Sequence, residues 1–528
     1  MRRPSFRPRL LPALSVLLVP LCATATSDPF VNRTAPPIAP PTPTMCGNEP
    51  MPAIEPIYTL VCALDKGVSP DTGRDQGDAI RAALESLISS ESGLYFPQGQ
   101  YVVRGSLELR TGNVLVGSRS GVAHFINDQP ATTAITHTLH SAKTILVEGL
   151  VLDNIAIQFL HAGTSVARYN GLLGTRSANP QISTIGADQI LGNVLWREAA
   201  FPGEGISAPL GTGARIEGNL LGIDDPRATL SGPIGGLKKD VQARTRRLIK
   251  QMSLLTAPIG AGAVASQGRG HFTEALRVGR TTDTRILSND IAVNSASTSL
   301  SGPQWAARVR DSQGLTLAAN RFTTVGAAGT ADAVLELVAP QNSRVAWNRM
   351  DRVPLLLSPD SSSQRPTKQT VVNKNELTNA VIHVTQPVTG DDAASTTIND
   401  LRFVYNDFNT ADPTQCLIDA PIPSQPGRTF GEAGNTRNPG GEPAKTCNLR
   451  PWVPPSDSVR PLPIDPPSAP PPLVPGGEVS PDLSNRTGVE EPERISHRDP
   501  PATTPDEPRK PWHKRMGQRL KKAWKKVF

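Results

Sequence analysis

The reading of this chain turns on a short phrase that recurs: ILSNDI at 286–291, LAANRF at 317–322, VAWNRM at 345–350 and VNKNEL at 372–377. Each copy is an apolar residue, two variable positions, asparagine, one variable position and a second apolar residue. The same frame fits Ile190/Asn193/Leu195, Ile216/Asn219/Leu221 and Phe403/Asn406/Phe408, and more weakly Ala167/Asn170/Leu172. Leu146/Gly149/Val151 reads as an earlier copy with glycine in place of asparagine. Successive asparagines lie between 23 and 31 residues apart, except for one step of 70 between Asn219 and Asn289. A period of that size indicates a solenoid. The unit is too short for a βαβ repeat, so stacked strands joined by tight turns are expected. Asparagine tolerates the left-handed backbone that such a turn needs, and its amides, stacked rung on rung, would hydrogen-bond along the column. Gly149 would meet the same backbone demand without an amide.

The long step marks an insertion at about 226–265. Within it, Leu237, Val241, Leu248, Met252 and Leu255 lie near one face of a predicted helix. A surface helix on the solenoid wall is the plainer reading. A lid or partner arm beside a substrate groove is the sharper one.

Composition agrees with a solenoid: aromatics are 4% of the 528 residues, with 44 Gly and 52 Pro. Residues 1–25 read as a signal peptide, with Arg2, Arg3, Arg7 and Arg9 before an apolar run too short to span a bilayer. A Pro-rich lead covers 26–58, the solenoid 59–450, and a linker with 18 prolines covers 451–511. Export makes Cys46, Cys62, Cys416 and Cys447 a pair of expected disulfides. Their spacing favours Cys46–Cys62 and Cys416–Cys447 among the three connectivities. The expected location is periplasmic or extracellular, with association to a membrane surface as a further option.

The formal charge of +7 is unevenly placed. Nine Lys/Arg fall in the last 20 residues, without an acid; with these and the four signal arginines set aside, the body carries −6. This is an interaction tail on an acidic body, which excludes a general nucleic-acid binder. Residues 512–528 read as an amphipathic helix. Trp512 and Trp524 lie on its apolar side, Lys521 and Lys522 on its basic side, suited to an anionic membrane surface or lipopolysaccharide.

A cap is expected before the first rung, because an open solenoid end would expose apolar side chains. Asp75 and Asp78 bracket a helix start like a capping box, and Ile80, Ala83, Leu84 and Leu87 form one stripe. Two extended pieces follow around Pro97. This run, DQGDAIRAALESL at 75–87 with GLYFPQGQYVV at 93–103, resembles the opening of pectate-lyase-superfamily proteins. That superfamily includes polygalacturonase-like enzymes, polysaccharide lyases, mannuronan epimerases and phage tailspikes. With the rungs, the resemblance covers about 350 of the 528 residues. It implies an all-β, right-handed parallel β-helix and a polysaccharide partner, with no single chemistry. The motifs of its best-defined hydrolases and epimerases are absent. Asp224-Asp225 is followed by Pro226, Gly270-His271 is not followed by glycine, and no Asp-Pro-His-Asp occurs.

Counting back from the asparagines defines a candidate site. Arg277, Arg308 and Glu336 each lie twelve residues before one, flanked by apolar neighbours. Alternation turns the flankers inward and the charges outward, so the three should stack on one outer face. Arg310 joins that face, Asp311 ends the strand, and His271 and Glu274 lead into the Arg277 strand. Stacked arginines suit a uronate carboxylate, with Arg277 and Arg308 neutralising it, His271 as base, and Arg310, Glu336 and Asp311 contacting the sugar. The expected partner is therefore an acidic polysaccharide that the protein binds or acts on by lyase, epimerase or hydrolase chemistry. A plain salt-bridge ladder on a non-catalytic adhesin or scaffold is the alternative. No cofactor is required. Calcium is the one ion with candidate ligands, in Asp224 and Asp225, and no spacing suits zinc.

Overall fold

A computed structural model of the protein describes residues 44–447, apart from short internal segments of which the longest are 224–238, 257–268, 386–397 and 421–429. The predicted signal peptide, Asp224-Asp225, the Pro-rich linker and the basic tail with Trp512, Trp524, Lys521 and Lys522 lie outside the described residues.

Among the described residues, three sheets of 13 strands each form the body beside one two-stranded sheet, and nearly every strand of the three pairs parallel with its equivalent one rung away. The chain visits the sheets in turn, so the fold is a right-handed parallel β-helix. The two apolar positions of the repeated phrase are its inward-facing columns. Ile190, Ile216, Ile286, Leu317, Val345, Val372 and Phe403 stack in register in the first sheet. Leu195, Leu221, Ile291, Phe322, Met350, Leu377 and Phe408 stack in the second. All are 0–1% exposed, each burying roughly 1.5–3 kcal/mol of transfer free energy.

Asparagine occupies the corner between those sheets, where the structure revises the expectation. The left-handed residue is the one before it: Tyr169, Ser288, Ala319, Trp347, Lys374 and Tyr405 have φ between 53° and 56°, and glycine fills the slot at 149, 192, 218 and 434. That bend turns the asparagine inward, where its own N–H meets no strand carbonyl. The amide oxygen of the next rung's asparagine accepts it instead. Asn289 N–H donates to Asn320 Oδ1 at 2.9 Å, Asn320 N–H to Asn348 Oδ1 at 3.0 Å, and so on. Up to Asn406, each Nδ2 donates to the next Oδ1 and to a carbonyl of the preceding rung, as Asn320 does to Asn348 (3.0 Å) and Ile286 (2.8 Å). The ladder runs from Asn170 to Asn435. Gly149 is left-handed but stands in the turn slot; Leu150 holds the asparagine position and donates to Asn170 Oδ1 at 3.1 Å. Asn435 escapes the sequence pattern because Glu432 and Arg437 replace its apolar flankers.

A helix at Gly77–Leu87 caps the first rung, with Ile80, Ala83, Leu84 and Leu87 buried. Its capping box does not close. Asp75 Oδ1 accepts from Gly77 N–H at 2.9 Å, but Asp78 turns to Arg81 at 2.6 Å. Both favoured disulfides are present, Cys46–Cys62 and Cys416–Cys447.

The insertion forms a helix at Lys239–Thr256. Leu248, Ile249 and Met252 pack on Val151, Val194, Trp196 and Leu220 on the outside of the second sheet. Leu255 of the expected apolar face is 41% exposed, and Ile249 takes its place. Arg244 Nη1 bonds buried Glu148 at 3.2 Å, beside Arg119 and Arg168. Among the described residues no helix is long and apolar enough to cross a membrane.

Asn320→Ala would strip Asn289 of an acceptor for two donors and remove the side-chain bond to the Ile286 carbonyl. The expected loss is about 2–4 kcal/mol in urea unfolding. Asn170→Ala, at the ladder's first rung, strands the Leu150 N–H alone and should cost less, and equal small losses at both positions would remove the ladder from the account.

Candidate functional site

The third sheet has no asparagine column, and its outer face carries the charged register. Arg277 pairs with Arg308 and Arg308 with Glu336 in adjacent strands, next to Ser207 on one side and Leu356 on the other. Their flankers Leu276, Val278, Ala307, Val309, Leu335 and Leu337 are fully buried. Alternation therefore places these three charges as the sequence predicts.

Neither of the two stacked arginines is free for a ligand's carboxylate alone. Arg277 Nη1 lies 3.1 Å from Glu204 Oε1. Arg308 Nε and Glu336 Oε2 form an ion pair at 2.6 Å without hydrogen-bond alignment, and the Arg308 guanidinium sits 4.5 Å over the Trp305 ring. Exposed Arg310 is close enough to Arg308, Glu336, Glu274 and Arg277 to feel their charges. It makes no ion pair within 4 Å among the described residues. Burial and the neighbouring Arg308 lower its pKa. Asp311 takes a left-handed corner (φ 50°) and pairs with Arg280 at 3.6 Å, which sets it in the neighbouring column.

Glu274 is the residue that sequence reasoning undervalued. It pairs in register with Glu204 on one side and Trp305 on the other. Only 7% exposed, its Oε1 has no hydrogen-bond partner. Burial pushes its pKa up to about 7, against the pull of Arg308 and Arg277. Two carboxyls thus stand in adjacent strands, Glu204 beside Arg277 and Glu274 desolvated.

Among the described residues the His271 side chain makes no hydrogen bond or ion pair with this group. It is 5% exposed, burial lowers its pKa, and its Nδ1 has no hydrogen-bond partner. A neutral enclosed imidazole is a weaker candidate for proton transfer than Glu274.

Behind the face lies Arg197, fully buried and surrounded by carbonyls. Its guanidinium donates to Thr175 (3.1 Å), Ser177 (2.7 Å), Phe201 (3.3 Å), Asn179 and Glu204 (2.8 Å). Burial lowers its pKa to about 10. It holds the backbone that presents Glu204. No sequence signal marked it, because a lone arginine after Trp196 looks like surface.

Among the described residues no group of three or more His, Cys, Asp or Glu is placed to hold a metal ion. The insertion helix covers the second sheet, not this face, so it is not a lid over the arginine column.

No family model and no curated protein matches the sequence. Solved structures that share similarity include PfbA, a surface adhesin of Streptococcus pneumoniae. It is 12% identical, with 75% of this chain and 93% of that one covered, at a TM-score of 0.41. The A-module of the Azotobacter vinelandii mannuronan C-5 epimerase AlgE4 is 12% identical, covering 74% and 99%, at 0.34. The Dettilon tailspike protein is 13% identical, covering 74% and 68%, at 0.37. The fold assignment rests on the chain's own sheets.

Glu274 also predicts a pH dependence of stability. Its folded pKa of about 7 lies above the ordinary 4.5, so the folded state keeps a proton that the unfolded chain releases. That contribution is complete below pH 4.5 and is lost as pH rises through 7. Asp188, 1% exposed and also raised to about 7, titrates in the same range. The quantity to measure is therefore the difference in unfolding free energy between wild type and Glu274→Gln, which should move in the variant's favour from pH 4.5 to 7. A difference independent of pH would mean that Glu274 titrates normally.

Proposed function

We propose that this chain is an exported β-helix protein that binds and acts on an acidic polysaccharide at the outer face of its third sheet. The observation that carries the reading is the Glu274 carboxyl, desolvated among Arg277, Arg308 and Arg310 with one oxygen unpartnered. With Glu274 protonated, three arginines face two carboxylates, and the surplus positive charge suits one uronate. Arg310 is the guanidinium available to fork onto that carboxylate. A carboxyl titrating near neutrality can give or take the sugar proton, the requirement common to elimination, epimerisation and hydrolysis. Trp305, under Arg308, offers apolar surface to a pyranose face. The two disulfides fit an oxidising compartment outside the cytosol.

A second reading has its own observation. Arg277–Glu204 and Arg308–Glu336 are already paired within the chain, which supports a non-catalytic adhesin or scaffold with a salt-bridge ladder on its wall. In either reading the basic tail docks the protein to an anionic membrane surface, with the linker as spacer.

Purified protein incubated with alginate, polygalacturonate and hyaluronan separates these readings through new unsaturated ends, new reducing ends, uronate epimer ratio and bound fraction. Turnover that falls about 10²-fold or more in Glu274→Gln supports proton transfer there. Arg310→Ala should weaken binding about tenfold, the scale of one charge-assisted hydrogen bond. Binding without any chemical change leaves the adhesin reading, and no binding removes the polysaccharide.

The tail is tested separately with vesicles containing a phosphatidylserine or phosphatidylglycerol fraction. The full chain should sediment with them and be released by salt, whereas a chain ending at Pro511 should not. Equal sedimentation of both would remove the tail from membrane docking.

A further inference from the structure

The left-handed corner between the first and second sheets carries side chains that backbone energetics does not explain. A bulky L residue there costs roughly 1–2 kcal/mol more than glycine, and several rungs do use glycine. Tyr169 has a structural reason: its ring covers Gly192 and takes the Arg244 guanidinium of the insertion helix at 4.8 Å. Trp347 and Tyr405 have no helix over them among the described residues. Tyr405 lies on Gly434 and is nonetheless 53% exposed. Trp347 is half-buried, with Arg344 Cζ 4.6 Å and Lys374 Nζ 5.7 Å from its ring centre.

These residues occupy consecutive rungs in the order Trp347, Lys374, Tyr405, as the ladder contacts of Asn348, Asn375 and Asn406 require. Rungs are about 4.8 Å apart, so the two aromatic residues stand about 10 Å apart along the axis with a cation between them. One rung is close to the length that a pyranose unit adds to an extended glycan. Neighbouring charges on this corner are mostly neutralised: Arg349 pairs with Glu376 and Arg402 with Asp400. Arg344 and Lys374 have no ion pair among the described residues.

We propose that the Trp347–Lys374–Tyr405 ridge is a second glycan-binding surface, on which an acidic polysaccharide lies along the coil axis. Alternate pyranose faces stack on the two rings, and an acidic group meets Lys374 and Arg344. The proposal rests on the acidic-polysaccharide reading for its ligand class, but its residues stand at the corner of the first and second sheets, whereas Glu274 and Arg310 lie in strands of the third. The ridge would hold a long chain while the third-sheet face engages part of it.

The backbone supplies a test that separates binding from packing. Glycine at φ near +55° relieves strain, so Trp347→Gly and Tyr405→Gly should leave the thermal midpoint unchanged or higher. Each should weaken alginate binding at least tenfold, measured by calorimetry on the full chain, and Lys374→Gln should weaken alginate but not a neutral dextran. Unchanged binding with a lowered midpoint would overturn the proposal and leave both rings as packing groups. If Arg310→Ala abolishes alginate binding while the ridge variants bind like wild type, the ridge fails and the third-sheet reading stands. If the wild-type protein binds none of the acidic polysaccharides, both fail together.

Discussion

A backbone N–H that turns into a closed coil must find an acceptor, and in this protein each one finds the amide oxygen of an asparagine one rung on. Burying it without a partner would cost about 1–3 kcal/mol per rung. The ladder removes that cost from Asn170 to Asn435. It also sets the corner geometry: the residue before must be left-handed, and the apolar residues three before and two after must face inward. The inner columns of two sheets are thus consequences of where the amides stack.

The third sheet is under no such constraint. Its strands vary more in length, from two residues to the eleven of Phe272–Thr282, and the 70-residue step opens just after the second-sheet strand of the Asn219 rung. It therefore has room to carry charge. Arg197 spends its donors on carbonyls to hold the turn that presents Glu204. The result is a face with three arginines and three carboxyls, with burial raising Glu274 to about 7. The insertion helix follows the opposite logic. It docks through Leu248, Ile249 and Met252 on the second sheet, stabilising the wall away from the charged face.

Much of the fold was legible because periodic burial leaves a periodic trace. Arg277, Arg308 and Glu336 could be aligned by counting from the asparagines, since the turn between third and first sheets keeps its length in those rungs. Glu204 and Glu274 follow the same count, each fifteen residues before its asparagine, as Trp305 is before Asn320; what one dimension hides is that Glu274 is desolvated there. Asn435 was hidden for a different reason: its rung keeps the amide but loses the apolar flankers. The left-handed residue was assigned one position late, because asparagine is suited both to that backbone and to a buried hydrogen-bond column, and only the coil shows which property is used.

The sequence by itself determined the solenoid, its rung boundaries, its capping helix, the pairing favoured for its four cysteines and the outward column of arginines. All of these depend on local alternation or on near-constant spacing, which survive in one dimension. Tertiary structure decided which carboxyl loses its water, which arginines are already neutralised, where the insertion helix lies and which corner rings remain exposed. Those depend on what the neighbouring rung brings within a few ångströms, and desolvation and ion pairing act across strands tens of residues apart.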